Sequence, residues 1–148
     1  GDNRQLLFGF REPLVDGKSM VVRMENPQQV FDQGTQPLLS NDISLLDLNG
    51  GGIRSLSYDR YLGAYLIANE VKNASGKWRS KLWLWSGDSD ERPQLLNIPA
   101  IAKMKNIEAI TPVVIDGVEK IMLMSDDGNR NKKRPAHYII LDYKQIVQ

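Results

Sequence analysis

Residues 82–85 read Leu82-Trp83-Leu84-Trp85, and this run of large apolar side chains is the most informative segment of the chain. A strand with one wet face alternates apolar and polar residues, whereas a strand covered on both faces is apolar throughout. Two more runs of this kind, at residues 121–124 and 138–141, follow later in the chain. We therefore expect sheets that are sandwiched between neighbouring sheets.

A repeated pattern of short strands and turns surrounds this run. Segments 52–56 (GIRSL) and 106–110 (NIEAI) share one pattern, and their Ile53 and Ile107 lie 54 residues apart. That spacing is close to the repeat of propeller blades, roughly 40–50 residues. Elsewhere, short apolar runs alternate with clusters of Gly, Pro, Asn and Asp, which is typical of strands and turns. The predicted strands are residues 5–10, 19–24, 43–48, 53–58, 64–71, 81–85, 94–98, 107–115, 120–125 and 137–143.

These patterns predict an all-β fold, a partial β-propeller-like array of about three antiparallel blades. If the strands of a blade are named A to D outward from the axis, the chain contains B-C-D, A-B-C-D and A-B-C. The blades span about residues 5–48, 52–98 and 107–143 of a single β module, residues 1–148. The incomplete outer blades suggest a piece of a larger propeller, and a two-layer sandwich is the alternative. One short helix is predicted at residues 99–105, and a Gln/Pro-rich loop precedes the third strand.

The composition excludes several classes of protein. The 19 basic and 18 acidic side chains leave a net charge of +1, so no excess positive field attracts nucleic acid. The apolar runs are far too short to span a bilayer. Without cysteine and with one histidine, disulfides and Cys- or His-built zinc sites are excluded. The compartment stays open, with a lean toward an exported or periplasmic bacterial protein.

Three motifs of the chain resemble those of a bacterial family known only as domain-of-unknown-function family 3616. Segment 7–14 (LFGFREPL), with 17–22 (GKSMVV), resembles its GxRxPxxxGxA hairpin, and segment 46–56 (LDLNGGGIRSL) is similar to its LDLGGxGIRxL stretch. Segments 106–110 and 123–128 (LMSDDG) are similar to its EGLA…SDDG ending, which phytase-like and esterase-like propellers share loosely. Two departures are Glu12, where the family often has Gly, and Ala109, in place of the Gly of EGLA. The resemblance implies a propeller-like fold and no particular activity.

Ligands of propellers bind where blades converge, so charged residues at matching blade positions are the candidate site. Arg54 and Glu108 lie at equivalent positions of the two similar segments, and a charge in an apolar strand needs a partner. They could contact a ligand, or they could pair with each other as structural ties. The ends of the second strands of the blades supply further polar groups. The predicted ligand-binding set at the channel end is Arg11, Arg54, Glu70, Glu108, Asp126 and Asp127.

A divalent cation is a further possibility at this end of the array. Carboxylates at matching strand ends, such as Glu70, Asp126 and Asp127, could converge on Ca²⁺ or Mg²⁺, which favour oxygen ligands. The other interpretation makes segment 126–129 (DDGN) a turn, because Asp, Gly and Asn favour turn conformations. The sequence contains no calcium loop of the Asp-x-Asp-x-Asp-Gly kind. No catalytic residue and no firm cofactor are predicted.

Three functions follow as expectations. The first is a non-catalytic propeller-like module that binds a small ligand or a protein. The second is a metal-dependent hydrolase of the phytase-like or lactonase type, in which the metal would activate water. The third is a structural module that self-associates through its open terminal blades, since unpaired strand edges and apolar faces favour association.

Overall fold

A computed structural model describes residues 5–126, 128–129, 131, 133 and 135–147 of the 148-residue chain. The described residues form ten strands, one short α-helix and two 3₁₀ turns. In chain order the strands are β1 (Leu6–Gly9), β2 (Ser19–Met24), β3 (Ser44–Leu46), β4 (Ile53–Asp59), β5 (Ala64–Lys72), β6 (Trp78–Trp85), β7 (Gln94–Leu95), β8 (Ile107–Ile115), β9 (Val118–Ser125) and β10 (Tyr138–Leu141).

The strands make three antiparallel sheets, and each sheet is formed by consecutive strands. The first sheet has the order β1-β2-β3, the second β4-β5-β6-β7 and the third β8-β9-β10. The prediction of an all-β chain is confirmed, and the strand numbers of three, four and three match the predicted B-C-D, A-B-C-D and A-B-C. The three sheets form an open row, so the propeller arrangement itself stays a prediction.

The second sheet is buried on both faces, as its apolar runs predict. Successive side chains of a strand point to opposite faces. In β6, Leu82 packs into the core shared with the third sheet, whereas Trp83 and Trp85 pack into the core shared with the first sheet. In β5, Leu66 and Ile67 divide between the two cores in the same way. Each such buried side chain contributes about 1.5–3 kcal/mol, so the middle sheet holds the three layers together.

The outer faces of the first and third sheets are apolar and partly exposed. The register pairs Phe8 with Val22 and Met20 with Leu45 on the side of the first sheet that points away from the second sheet. The third sheet pairs Met122 with Ile140 and Met124 with Tyr138 on its outer side. Both terminal sheets therefore present faces composed like the buried faces between the sheets.

A buried carboxylate closes the second sheet onto the end of the chain. Asp59 accepts hydrogen bonds from the backbone N–H groups of Tyr61 and Leu62, both at 2.9 Å, and from the Tyr143 hydroxyl at 2.7 Å. Burial, and then the hydrogen bond to Asp59, raises the pKa of Tyr143. Tyr143 therefore keeps its proton at neutral pH and donates a hydrogen bond to Asp59.

Helical structure differs from the prediction. The segment predicted as a loop contains α1 (Pro27–Gln33), which buries no residue and ends at Gly34 with a φ of 67°. Because α1 packs no apolar stripe into the core, its sequence lacks the helical period that would reveal it. Of the helix predicted at 99–105, only a 3₁₀ turn over Pro99–Ile101 forms. None of the described helices has the length and apolar content needed to cross a bilayer.

Candidate functional site

The first strands of the second and third sheets contain the same irregularity. The pairing of β4 with β5 shifts by one residue between Ile53 and Ser55, and the pairing of β8 with β9 shifts between Ile107 and Ala109. The residues inside these shifts are Arg54 and Glu108. A β-bulge of this kind re-aims a side chain. The equivalence that the sequence indicates for these two charges is therefore present in the backbone.

Arg54 is paired with two carboxylates. Its Nη2 lies 3.0 Å from Oε2 of Glu70, and its Nη1 forms an ion pair with Oε1 of Glu108. The other Glu70 oxygen accepts a hydrogen bond of 3.2 Å from the backbone N–H of Asn106. The side chains of Arg54 and Glu70 are 12% and 7% exposed, against 40% for Glu108. The pair ties the second sheet to the third, as the structural interpretation predicts, and a ligand contact of these charges stays a prediction.

A glycine triplet, formed by Gly50, Gly51 and Gly52, lies beside this ion pair. The carbonyl oxygen of Gly51 accepts hydrogen bonds from Ser19 Oγ at 2.9 Å and from Asn69 Nδ2 at 3.0 Å. Asn69 is fully buried; its amide also donates to the Leu48 carbonyl at 2.8 Å and accepts from Trp83 Nε1 at 2.9 Å. The first and second sheets are thus fastened together at the triplet by a buried amide with both of its ends bonded.

The triplet also forms a close backbone contact with the end of β1. The N–H of Ile53 donates to the Phe10 carbonyl at 3.1 Å. A Cβ on Gly52 would overlap the carbonyl group of Arg11, and one on Gly51 would lie 2.5 Å from the Glu70 carbonyl oxygen. No larger residue fits at either position without a shift of the backbone. The required side chain is therefore hydrogen at both positions, of which Gly51 is buried and Gly52 is partly exposed.

These elements surround a groove of about 400 Å³, here called the glycine groove. It lies where the ends of all three sheets meet. It is defined by the residues Arg11, Glu12, Gly52, Arg54, Glu70 and Trp78, and Asn106 closes one side.

The groups available to a ligand lie at the rim of the glycine groove. Trp78 is 50% exposed, and the Lys72 ammonium lies 5.2 Å from the centroid of its ring. The Arg11 guanidinium makes no ion pair or side-chain hydrogen bond with any described residue. Trp78 is the exposed tryptophan of the three, because Trp83 and Trp85 are buried. The rim therefore offers one flat ring and one guanidinium.

Most of the predicted site residues come together here. Arg11, Arg54 and Glu70 line the glycine groove, and Glu108 joins it through Arg54. Asp126 adjoins it through Asn106: the Asp126 N–H donates to the Asn106 carbonyl at 2.8 Å, and Asn106 Nδ2 donates back to the Asp126 carbonyl at 3.3 Å.

Asp127 lies outside the described residues, so its predicted place in the site stays a prediction. The sequence prediction did not include the glycine triplet or Asn106 in the site. A signal for the triplet was present, since three consecutive glycines before a strand indicate close backbone approach.

The predicted cation site is not assembled by the described residues. Within residues 5–126 and the described positions beyond them, no three His, Asp or Glu side chains lie close enough together to hold a metal ion. Glu70 and Glu108 are instead occupied by the guanidinium of Arg54. The metal-dependent hydrolase stays a prediction to which these residues lend no support.

Comparisons with known proteins add nothing to this geometry. No family model, curated protein or solved structure matches the chain. The resemblance to family 3616 stays an expectation, and a function has to be argued from the groove and surfaces themselves.

Proposed function

We propose that this chain is a non-catalytic binding module, part of a propeller-like array, that holds a ligand in the glycine groove. The observation that carries the proposal is the rim, where a half-exposed Trp78 and Arg11, which has no ion-pair partner among the described residues, line the same groove. Tryptophan and arginine are the residue types that most often anchor a binding partner. The buried Arg54 ion pair and the Asn69 hydrogen bonds hold this surface rigid.

The chemistry of the rim indicates the class of ligand. An indole ring stacks on flat groups, and a guanidinium forms paired hydrogen bonds with a carboxylate. The exposed carboxylate of Glu12 can accept hydrogen bonds from N–H groups. A small ligand or protein segment that combines a flat ring with an acidic group, such as a short peptide, satisfies all these contacts.

Binding to short peptides that pair one aromatic with one acidic residue tests this function. We expect the peptides to shift the NMR amide signals of Gly50, Gly51 and Gly52. Trp78→Ala should weaken binding at least tenfold, about 1.4 kcal/mol, without lowering the melting temperature, because Trp78 is half exposed. The matched control is Tyr138→Ala, which removes an exposed aromatic ring outside the groove. Equal loss in both variants, or shifts confined to other surfaces, contradicts the proposal.

A second candidate function is structural. The outer faces of the first and third sheets carry apolar pairs, Phe8 with Val22 and Met122 with Ile140. We propose that the outer face of the first sheet in one copy packs on the outer face of the third sheet in the next copy. Faces of this composition already pack against each other inside the molecule, on both sides of the second sheet. Such a head-to-tail contact joins different surfaces, so it builds rings or filaments rather than closed dimers.

Sedimentation velocity over a range of protein concentrations tests the structural candidate. We expect the wild-type protein to form larger species as its concentration rises, and Phe8→Lys to remain monomeric, because a charge on the apolar face opposes its burial. Phe8 is 38% exposed, so the substitution should leave the fold intact. Phe31→Lys, on α1 and 72% exposed, is the matched control. A wild-type protein that stays monomeric at every concentration refutes self-association.

A further inference from the structure

A second cavity, of about 610 Å³, lies between the first and second sheets. It is found toward the opposite end of these sheets from the glycine groove, where β1 begins and β4 ends. We call it the arginine pocket, defined by the residues Leu7, Arg23, Leu56, Tyr58, Arg60 and Tyr65. It contains no residue of the glycine groove, so its role is separate from the function proposed above.

The arginine pocket carries positive charge without compensation. Arg23 and Arg60 line it, and no Asp or Glu is found among the described residues of its lining. Arg23 Nη2 donates only a long hydrogen bond, 3.5 Å, to the Gly87 carbonyl. Its Nε is buried and has no acceptor among the described residues. A buried guanidinium donor without an acceptor lowers the stability of the fold, because the desolvation penalty of the group is not offset by a hydrogen bond.

Arg54 is the comparison for Arg23, because it is a partly buried arginine whose ion pairs stabilise the fold. Both arginines are partly buried between sheets, yet Arg54 is paired with two carboxylates. Arg23 has none, although β2 is otherwise apolar around it. The Arg23 guanidinium lies beside an open cavity and has no carboxylate partner among the described residues, which indicates that a bound ligand supplies its partner.

Aromatic rings form a rigid wall of the arginine pocket. The rings of Tyr58 and Tyr65 pack edge to face with centroids 5.1 Å apart, and Tyr65 also packs on Trp85 at 5.6 Å. Gly87, with a φ of 96°, lies so close to Tyr65 that a Cβ would approach the ring to 2.8 Å. Burial raises the pKa of Tyr65, the neighbouring Tyr58 raises it further and the Arg23 charge opposes this. The Tyr65 phenol is therefore neutral and able to donate at neutral pH.

We propose that the arginine pocket binds a small carboxylic acid with an apolar or aromatic body. Its carboxylate accepts hydrogen bonds from the guanidinium groups of Arg23 and Arg60, and its body packs on Tyr58 and Tyr65. A guanidinium forms parallel hydrogen bonds with a planar carboxylate.

Titrations of the full chain with benzoate and with benzamide, followed by NMR at Gly87 and Tyr65, test this inference. We expect benzoate to bind saturably and at least tenfold more tightly than benzamide, because benzamide lacks the charge. Arg23→Gln should weaken benzoate binding at least tenfold and leave the melting temperature equal to or above that of the wild type. The control Arg92→Gln removes an equal charge from an exposed position outside the pocket and should leave binding unchanged.

Three results would overturn the inference: no saturable benzoate binding, benzamide binding as tightly as benzoate, or undiminished benzoate binding in Arg23→Gln. If Arg23→Gln fails to fold, Arg60→Gln serves in its place, because Arg60 is exposed at the same pocket. Arg60→Gln should then reduce benzoate affinity several-fold, and unchanged affinity counts against the site.

Discussion

A Gly52→Ala protein should be strongly destabilised, with a free energy of unfolding lowered by about 3 kcal/mol. The added Cβ overlaps the carbonyl group of Arg11. Both colliding groups belong to or are fixed by the backbone, so no side-chain rotation relieves the overlap. The strand end must move, which also breaks the hydrogen bond from Ile53 N–H to the Phe10 carbonyl.

Chemical denaturation and thermal melting measure this effect. For a chain of this size we expect the melting temperature to fall by roughly 10 °C. Gly117→Ala is the matched control, because Gly117 also precedes a strand but has no atom within 4 Å of its added Cβ. Its φ of 74° disfavours alanine by about 1–2 kcal/mol. If Gly52→Ala is no less stable than Gly117→Ala, the result contradicts a close contact between Gly52 and the Arg11 carbonyl group.

The second large effect is expected from Arg54→Met, which should lower the free energy of unfolding by about 3–5 kcal/mol. The substitution leaves the Glu70 carboxylate, 7% exposed, without its guanidinium partner between two sheets. Removing one member of a buried ion pair is far more harmful than removing both. We therefore expect Arg54→Met combined with Glu70→Gln to recover most of the lost stability.

A more exposed ion pair of the same chain, with side chains 26% and 41% exposed, provides the control for Arg54. Lys120 lies 2.8 Å from Asp142, and this hydrogen bond and charge lower the pKa of Asp142. Exposed pairs contribute little because solvent screens them, so Lys120→Met should destabilise the protein much less than Arg54→Met. If urea denaturation gives the same loss of unfolding free energy for both variants, the Arg54 ion pair contributes no more to stability than a solvent-screened pair does. A stable Arg54→Met protein that loses peptide binding would instead assign Arg54 to the ligand.

The fold was predictable from sequence because its main feature leaves a local trace. A sheet covered on both faces needs consecutive apolar residues, and 82–85 supplies them. The equivalence of Arg54 and Glu108 was predictable for the same kind of reason, since each follows an isoleucine at the start of a matching strand. α1 left no such trace, because a helix that buries nothing needs no apolar period.

Other features depend on tertiary contacts that sequence does not display. The contact of Gly52 with Arg11 and the hydrogen bonds of Asn69 join segments far apart in the chain. The arginine pocket is an intermediate case. Arg23 interrupts an apolar strand just as Arg54 does, so the same rule about unpaired charges would have identified it. The missing carboxylate beside Arg23 became evident only from the packing of the sheets.

The double-sided burial of the second sheet limits how the protein can be dissected. Removing residues before β4 would expose Trp83 and Trp85 to water, and removing residues after β7 would expose Leu66 and Leu82. Neither cut produces a soluble surface, because each uncovers one entire side of the central layer. Melting should accordingly proceed as one all-or-none transition, with no smaller autonomous fragment.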